Sequence, residues 1–392
     1  MSQENPRTLE QVNEVLTLAK LTEEDIMPTS QAIYFTDNIY DNNYKFLQLD
    51  AHLMSEIKEG QTLFIKGADD EEVVICSETK TYNVLEAETS NSLLLVDGLK
   101  FTEDVKNTAE RGINKVRVYG IFFDYLEAVA AKPHLKKLRN MLEGGIYKGP
   151  EHEYSVKSEN LLSITDLNRV IQASNKEIDD AIALMDVVEI NNKIRLLDFE
   201  YHFRVLSFML KLIDENSWQL DHIEYEETAN SLSDLVPTEI VNVLFDKYTT
   251  ESKIIDGVQL YKYKEDKVCT FFAQVLLKSA GKFNLNEFLQ AWKDSVPEGM
   301  VPQEEMLYGI AIIDRKSNPN VIRAFDEENL SENIMERLNA LFEVKEKWSV
   351  PEITPYIKRL ATEKVDANAL LAKYARASKQ NDVKYYSAKH AK

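Results

Sequence analysis

Lys358, Arg359, Lys364, Lys373, Arg376, Lys379, Lys384 and Lys389 crowd the last 45 residues of a 392-residue chain that is acidic elsewhere. Trp348–Lys392 carries nine Lys/Arg against four Asp/Glu, a net of about +5, so the preceding 347 residues must hold about −25 to give the total of −20. Cations at that density suit phosphate contact, because Lys and Arg release counterions from a polyanion that an acidic body repels. A membrane surface or an acidic protein surface would serve the same charges, and a frayed solvated tail would need no partner. In DANALLAKYARASKQNDVKYY, Leu370, Tyr374 and Ala377 share one side of an expected helix over Ala367–Ala377, with Lys373, Arg376 and Gln380 in the adjacent polar stripe. Lys358 and Arg359 end the preceding helix, where cations also complement the helix dipole. Lys379, Lys384, Lys389 and Lys392 follow in a wing and tail with Tyr385 and Tyr386, which either stack on bases or close a core.

Other chemistry finds no foothold. The chain has no Gly-x-x-x-x-Gly-Lys phosphate loop, His-Glu-x-x-His zinc helix, Cys-x-x-Cys pair or Gly-x-Ser-x-Gly elbow. Its six histidines never fall at spacings that place two ligands on one face. The run Asp69–Glu72 reads as a solvated turn, since a cation site needs converging oxygens. Among 66 Asp and Glu, any acid/base pair would be arbitrary. A non-enzymatic chain without metal or cofactor is the expectation.

A length of 392 residues implies two to four domains, and 44% hydrophobic with 29% charged residues describes ordinary globular material. The N-terminal twenty residues lack an apolar core for a secretory signal, and no window supplies the eighteen or more apolar residues of a membrane span. Cys76 and Cys269 have apolar neighbours and read as buried reduced thiols, which places the protein in the cytosol or nucleus.

The elements that must position these residues divide into strands, then helices. Lys45–Asp50, Thr62–Lys66, Glu72–Ser77, Thr81–Glu86 and Ser92–Val96 are short apolar runs separated by turn material, the pattern of a small antiparallel barrel or sandwich. A polar helix is expected at Glu103–Gly112, and KVRVYGIFFDYLEAV as a strand running into a helix. Helical spacing follows at His134–Glu143, Thr165–Ala173, Lys176–Asp186 and Phe203–Glu215, with a hairpin turning at Asn191-Asn192.

That order recurs. GKFNLNEFLQAWKD at 281–294 aligns without gaps on EKWSVPEITPYIKR at 346–359, matching Lys282 with Lys347, Phe283 with Trp348, Glu287 with Glu352 and Lys293 with Lys358. Asn284/Glu287, Ser349/Glu352, Ser163/Asp166 and Ser174/Glu177 each have capping-box spacing. The fold expected is α+β: a small antiparallel β-barrel over 1–130, then three tandem winged-helix domains. These cover 131–220, 221–330 (a connector helix at Thr238–Tyr248 before the second unit) and 331–392.

The blocks KTYNVLEAETSNSLLLV and LLAKYARAS, within IKGADDEEVVICSETKTYNVLEAETSNSLLLV and WSVPEITPYIKRLATEKVDANALLAKYARAS, resemble the Dcc family of sister-chromatid-cohesion proteins. The resemblance implies a non-catalytic subunit of an alternative replication-factor-C clamp loader in the nucleus, acting in DNA replication and cohesion. Its N-terminal strands would join a small Ctf-type subunit and the C-terminal tail of the large Ctf-type ATPase subunit in a composite triple barrel. The first winged helix would meet the catalytic subunit of DNA polymerase epsilon, and the terminal ones single- and double-stranded DNA, with the sliding clamp reached indirectly and no membrane. Region 151–347 carries 21 basic against 37 acidic residues, so DNA contact falls chiefly to the last unit. The alternative is a winged-helix scaffold that binds only proteins.

Overall fold

The computed structural model describes residues 8–22, 25, 29–37, 39, 44–101, 104, 112–133, 135–361, 365–380 and 382–389. Helices and several sheets make it an α+β chain. Its contacts fall into two units, one of residues 1–144 with 162–186 and one of 145–161 with 187–392.

The first unit contains α1 (Leu9–Leu18), β1 (Thr29–Phe35), β2 (Leu47–Gln48), α2 (Ala51–Lys58), β3 (Phe64–Lys66), β4 (Val74–Cys76), β5 (Thr81–Asp97), β6 (Gly112–Ala131), α3 (Lys136–Glu143), α4 (Ile164–Val170) and α5 (Asn175–Leu184). The strands form an open sheet in the order β1-β6-β5-β4-β3, with β2 also on β6. Among the described residues it does not close into a barrel, and it is mixed, because β1 and β2 both lie parallel to β6. The two runs Thr81–Glu86 and Ser92–Val96 are one 17-residue strand. The polar stretch between them is absorbed as a bulge, since β6 supplies partners on both sides of it, Glu88↔Asp124 and Leu93↔Phe122. Likewise β6 does not turn into a helix: Tyr125, Leu126 and Glu127 each face a β5 residue, and the ladder overrides local preference. The expected helix at Glu103–Gly112 lies outside the described residues except Asp104 and Gly112, which opens β6.

The sheet's core is small, centred on Leu53, Ile75, Tyr82 and Ala128. Helices α4 and α5 are bonded to it: Lys66 Nζ donates to Ala173 O at 2.6 Å, Thr81 Oγ1 to Glu177 at 2.6 Å, and the Ser174 N–H to Thr81 Oγ1 at 2.9 Å. These helices, expected in the first winged-helix unit, therefore cluster with the strands, while their hairpin clusters with the second unit.

The second unit begins with that hairpin, β7 (Val187–Ile190) and β8 (Lys193–Leu196), turning at Asn191 and Asn192 with φ of 51° and 60°. Then one order repeats three times. The first repeat runs α6 (Phe199–Glu215), β9 (Ile223–Glu224), α7 (Tyr225–Leu232), α8 (Thr238–Tyr248), β10 (Thr249–Ile255), β11 (Val258–Tyr263). The second runs α9 (Glu265–Ala280), β12 (Lys282–Asn284), α10 (Leu285–Ser295), a 3-10 turn at Glu304–Leu307, β13 (Ala311–Asp314), β14 (Val321–Ala324). The third runs α11 (Ile334–Val344), β15 (Trp348–Ser349), α12 (Val350–Lys358), α13 (Ala367–Tyr374), β16 (Ala375–Gln380), β17 (Val383–Ala388). The sheets are ordered β10-β11-β9, β12-β14-β13 and β15-β17-β16, so each leading strand pairs with the last strand of its hairpin. The stretch 221–260, expected as a connector with one helix, thus holds most of a repeat. Its two-residue leading strand is too short for periodicity to reveal.

The repeats share buried chemistry as well as order. Trp292 Nε1 donates to Cys269 O at 2.7 Å, and Trp348 Nε1 to Leu341 O at 3.0 Å, each tying the second helix or its leading strand to the first helix. Reciprocal caps form at Ser163/Asp166 and Ser174/Glu177. Asn284 Oδ1 accepts the Glu287 N–H at 3.4 Å, and Glu352 accepts the Ser349 N–H at 3.0 Å.

Both cysteines are free and buried. Burial pushes the Cys269 thiol up to about 12 and raises that of Cys76. Because the thiolate is the reactive form, neither should take an alkylating label at pH 8 in the native protein, and both should after unfolding. Rapid native labelling read by intact mass would refute this.

Candidate nucleic-acid interface

In the third repeat the polypeptide leaves helix earlier than expected: α13 ends at Tyr374 and β16 begins at Ala375. Arg376 and Gln380 therefore lie on a strand, not on a helical stripe with Lys373. Pairing with β17 over the register from Ala375↔Ala388 to Gln380↔Val383 outweighs the helical pattern of the short ALLAKYARA segment. Strand alternation then sorts the side chains. Ala375, Ala377 and Lys379 share one face with their opposites Ala388, Tyr386 and Lys384, while Arg376, Ser378 and Gln380 share the other with Ser387, Tyr385 and Val383.

The first face is the core face near the helices, where Tyr386 is fully buried opposite Trp348, itself edge-on to Tyr356 at 5.4 Å. Of the two tyrosines, Tyr386 closes the core and Tyr385 stays half-buried on the outer face. At the tip, beyond the core, Lys379 and Lys384 stand directly opposite each other and exposed. Directly opposed like charges destabilise a ladder in water by about 0.2–1 kcal/mol, and an anion between them reverses that sign. Asp382, at φ 62° in the turn, pairs with Lys379 at 2.7 Å, and the Lys384 ammonium lies 4.9 Å from the Tyr386 ring centre.

Lys389 Nζ donates to the Lys373 backbone carbonyl at 2.9 Å, which seats that ammonium at the C-terminal end of α13, and Lys373 Nζ lies over the Tyr374 ring at 5.0 Å. Lys358 and Arg359 belong to the end of α12. Lys358 is exposed, and Arg359 reaches Glu332 at 3.4 Å with both side chains about half exposed, a pair worth little. Lys364 lies outside the described residues. The geometry thus sets Lys379 opposite Lys384 and seats the Lys389 ammonium on the backbone of Lys373, with Arg376 on the outer face of the same hairpin.

The platform beneath them is firm. Arg337, fully buried, donates to Glu327 at 2.9 Å and to the carbonyls of Ser331, Tyr356 and Leu330 at 2.7, 2.6 and 3.0 Å. Burial raises the Glu352 carboxyl, but hydrogen bonds from Lys345 and Ser349 outweigh it and the net shift is downward. The arginine was not singled out in sequence, since nothing in RLNALF marks a buried guanidinium.

Among the described residues no group of three His, Cys, Asp or Glu could hold a metal ion, and no helix is long and apolar enough to cross a membrane. The arrangement can hold phosphates, singly or as a chain.

Comparison with known proteins covers nearly the whole chain. A family profile described as sister chromatid cohesion protein Dcc1 matches residues 44–357, ending one residue before Lys358. Sister chromatid cohesion protein DCC1 of Danio rerio is 37% identical over 385 residues, 98% of each chain. The protein of that name from Homo sapiens is 34% identical over 389 residues, again 98% of each, and that of Saccharomyces cerevisiae 22% over 365 residues, 86% of this chain and 94% of the other. These relatives are named for cohesion and not for an enzymatic activity. By the profile and the full-length identities together, this chain belongs to the Dcc1 family of sister chromatid cohesion proteins.

Proposed function

We propose that this chain is a non-catalytic subunit of the alternative, Ctf-type clamp loader, working in the nucleus in DNA replication and sister chromatid cohesion. Its open sheet accepts strands from the small Ctf-type subunit and from the C-terminal tail of the large ATPase subunit, which complete the barrel. The repeats act as winged-helix units: the last binds single- and double-stranded DNA without sequence preference, and earlier ones help tether the loader to DNA polymerase epsilon, with the sliding clamp reached only through the complex.

The observation that carries the assembly reading is the free edge of β5. On β5, strand β4 reaches only Thr81, Tyr82 and Asn83, so from Val84 to Asp97 the side of β5 away from β6 has no strand partner among the described residues. Ile33, Tyr34, Phe35, Leu93, Leu94 and Phe123 are exposed on the same unit, more apolar surface than a self-sufficient sheet of this size leaves in water. Co-expression of the full chain with the small subunit and the large subunit's tail tests it: a stable 1:1:1 complex is expected, and failure to co-purify would sink the assembly. The full chain is needed because a fragment ending at 130 loses the bonds that Ala173, Ser174 and Glu177 make to the strands.

The DNA reading rests on the opposed Lys379 and Lys384. The double variant Lys379→Glu/Lys384→Glu should weaken duplex and single-strand binding alike by about tenfold or more, with a shallower salt dependence, as expected for lost phosphate contacts. Unchanged retardation at low salt would favour a scaffold that binds only proteins.

A further inference from the structure

Helix α2 and the turn that leads into β5 enclose a cleft apart from the free edge of that strand. Asp50 caps α2, its Oδ1 accepting the Leu53 N–H at 2.7 Å. His52, Glu56 and Glu59 then follow at i, i+4 and i+7, which sets all three along one face. Against them stands the turn Ser77–Lys80, closed by the Ser77 N–H on the Lys80 carbonyl at 2.9 Å and the Lys80 N–H on Ser77 Oγ at 3.1 Å. The turn contributes Glu78 and Thr79, and the cleft has a volume of about 300 Å³. From α5, Asn175 Nδ2 donates to the Glu78 carboxylate at 3.2 Å. All of this lies ahead of Val84, where the free stretch of β5 begins.

Glu56 is what ordinary surface acidity does not explain. It is only 8% exposed, yet little offsets the burial of its carboxylate. Thr79 Oγ1 donates to Oε1 at 3.2 Å and His52 Nε2 stands 3.6 Å from the same oxygen, while Oε2, itself buried, has no hydrogen-bond partner among the described residues. A carboxylate held out of water in this way is costly unless a cation meets it. No Lys or Arg among the described residues lines the cleft, and the exposed Glu59 and Glu78 add further negative charge at its mouth. The charge reaches beyond the cleft: the Tyr82 hydroxyl is likewise buried without a partner among the described residues, and burial together with Asp50, Glu56 and Glu177 pushes its phenol up to about 12.

We infer that this cleft binds the guanidinium of an arginine presented by a partner polypeptide, with Glu56 as the charge partner at its floor and Glu59, Gln61 and Glu78 as acceptors around its mouth. A metal ion does not fit, because the oxygens line a wide cleft instead of converging, and among the described residues no group of three His, Cys, Asp or Glu could hold one. A guanidinium does fit: its five N–H donors form a planar fork that serves acceptors spread around a rim, whereas an ammonium is a compact point charge. The volume is at the lower end for small-molecule sites and suits one side chain entering end-on. A free amino acid would bring its own carboxylate against Glu59 and Glu78, where no cation lines the cleft to receive it.

The test is isothermal titration calorimetry on the full chain at low salt with Nα-acetyl-arginine amide, its neutral citrulline analogue and free arginine. The arginine amide should bind saturably. The citrulline analogue, which keeps the shape and loses the charge, should bind at least about tenfold more weakly, and free arginine more weakly than the amide. Glu56→Gln retains an acceptor for Thr79 and removes the buried charge, so it should weaken the amide by about tenfold or more without lowering the melting temperature. Glu59→Gln/Glu78→Gln, at exposed positions, should weaken it several-fold and leave folding intact, which keeps the test decisive even if the Glu56 variant fails to fold. Equal binding of the amide and the citrulline analogue, or unchanged affinity in Glu59→Gln/Glu78→Gln, would overturn the site. Tighter binding of free arginine, spermidine or calcium than of the amide would assign the cleft to a free cation and overturn the polypeptide partner.

Discussion

Proline in place of Glu88 is expected to leave the chain folded and to abolish its capture of strand partners. The Val84 N–H turns away from β6 and points at Val73 O, 3.4 Å away. By the alternation of an antiparallel ladder, the N–H groups of Glu86 and Glu88 lie on that same edge, where no strand follows β4 among the described residues. Proline removes an edge donor and sets a ring against any incoming strand, yet spares the donors that face β6, which is why natural edges tolerate it. Glu88 is the better site because Glu86 lies 3.6 Å from Lys45. Loss of co-purification by at least about a hundredfold is expected, since each strand interface depends on a continuous ladder. An unchanged melting temperature with unchanged assembly would show that partners join elsewhere. The variant Glu88→Gln, which keeps the donor, should assemble normally.

Arg337→Ala should cost the third repeat about 3–5 kcal/mol, the penalty for removing one member of a buried ion pair. Truncation strands Glu327 and three backbone carbonyls that the guanidinium now satisfies, and it opens a void beneath the helix that carries Trp348's partner Leu341. For a repeat of this size the loss corresponds to a fall in melting temperature of more than about 10 °C. DNA binding by the hairpin should fail at the temperature where the repeat melts, while the repeats that share the Phe245–Trp292 core stay folded. A cost below about 1 kcal/mol, read by denaturant unfolding, would mean that water replaces the arginine. Lysine at this position should recover only part of the loss, since one ammonium cannot span the fork of carbonyls and carboxylate.

The local rules were legible. Helix starts at Ser163, Ser174, Asn284 and Ser349 follow from caps whose partners lie three residues on, and the hairpin at Asn191-Asn192 from residues that tolerate positive φ. The match of Lys282–Lys293 with Lys347–Lys358 identified two repeats, because in both an aromatic precedes the cap residue and the aligned helix positions Phe288/Ile353 and Trp292/Ile357 are buried. The first repeat, at 199–263, is not legible in this way because its leading strand offers Ile223 and Glu224 where the others offer an aromatic and a capping side chain.

What the residues decide alone is therefore the α+β character, the strand-then-helix order, the charge reversal at Trp348 and the family that this order and the conspicuous blocks point to. Tertiary structure decides the rest, because it turns on pairing between distant segments. Whether Asp124–Ala131 is strand or helix depends on β5 lying alongside, and whether the sheet closes depends on which strands reach its edges. Arg376 leaves the helix of Lys373 only because β17 offers a ladder, and that one change moves it from a helical stripe to the outer row of a sheet. Charge is a property of composition, but which cations share a face is a matter of register.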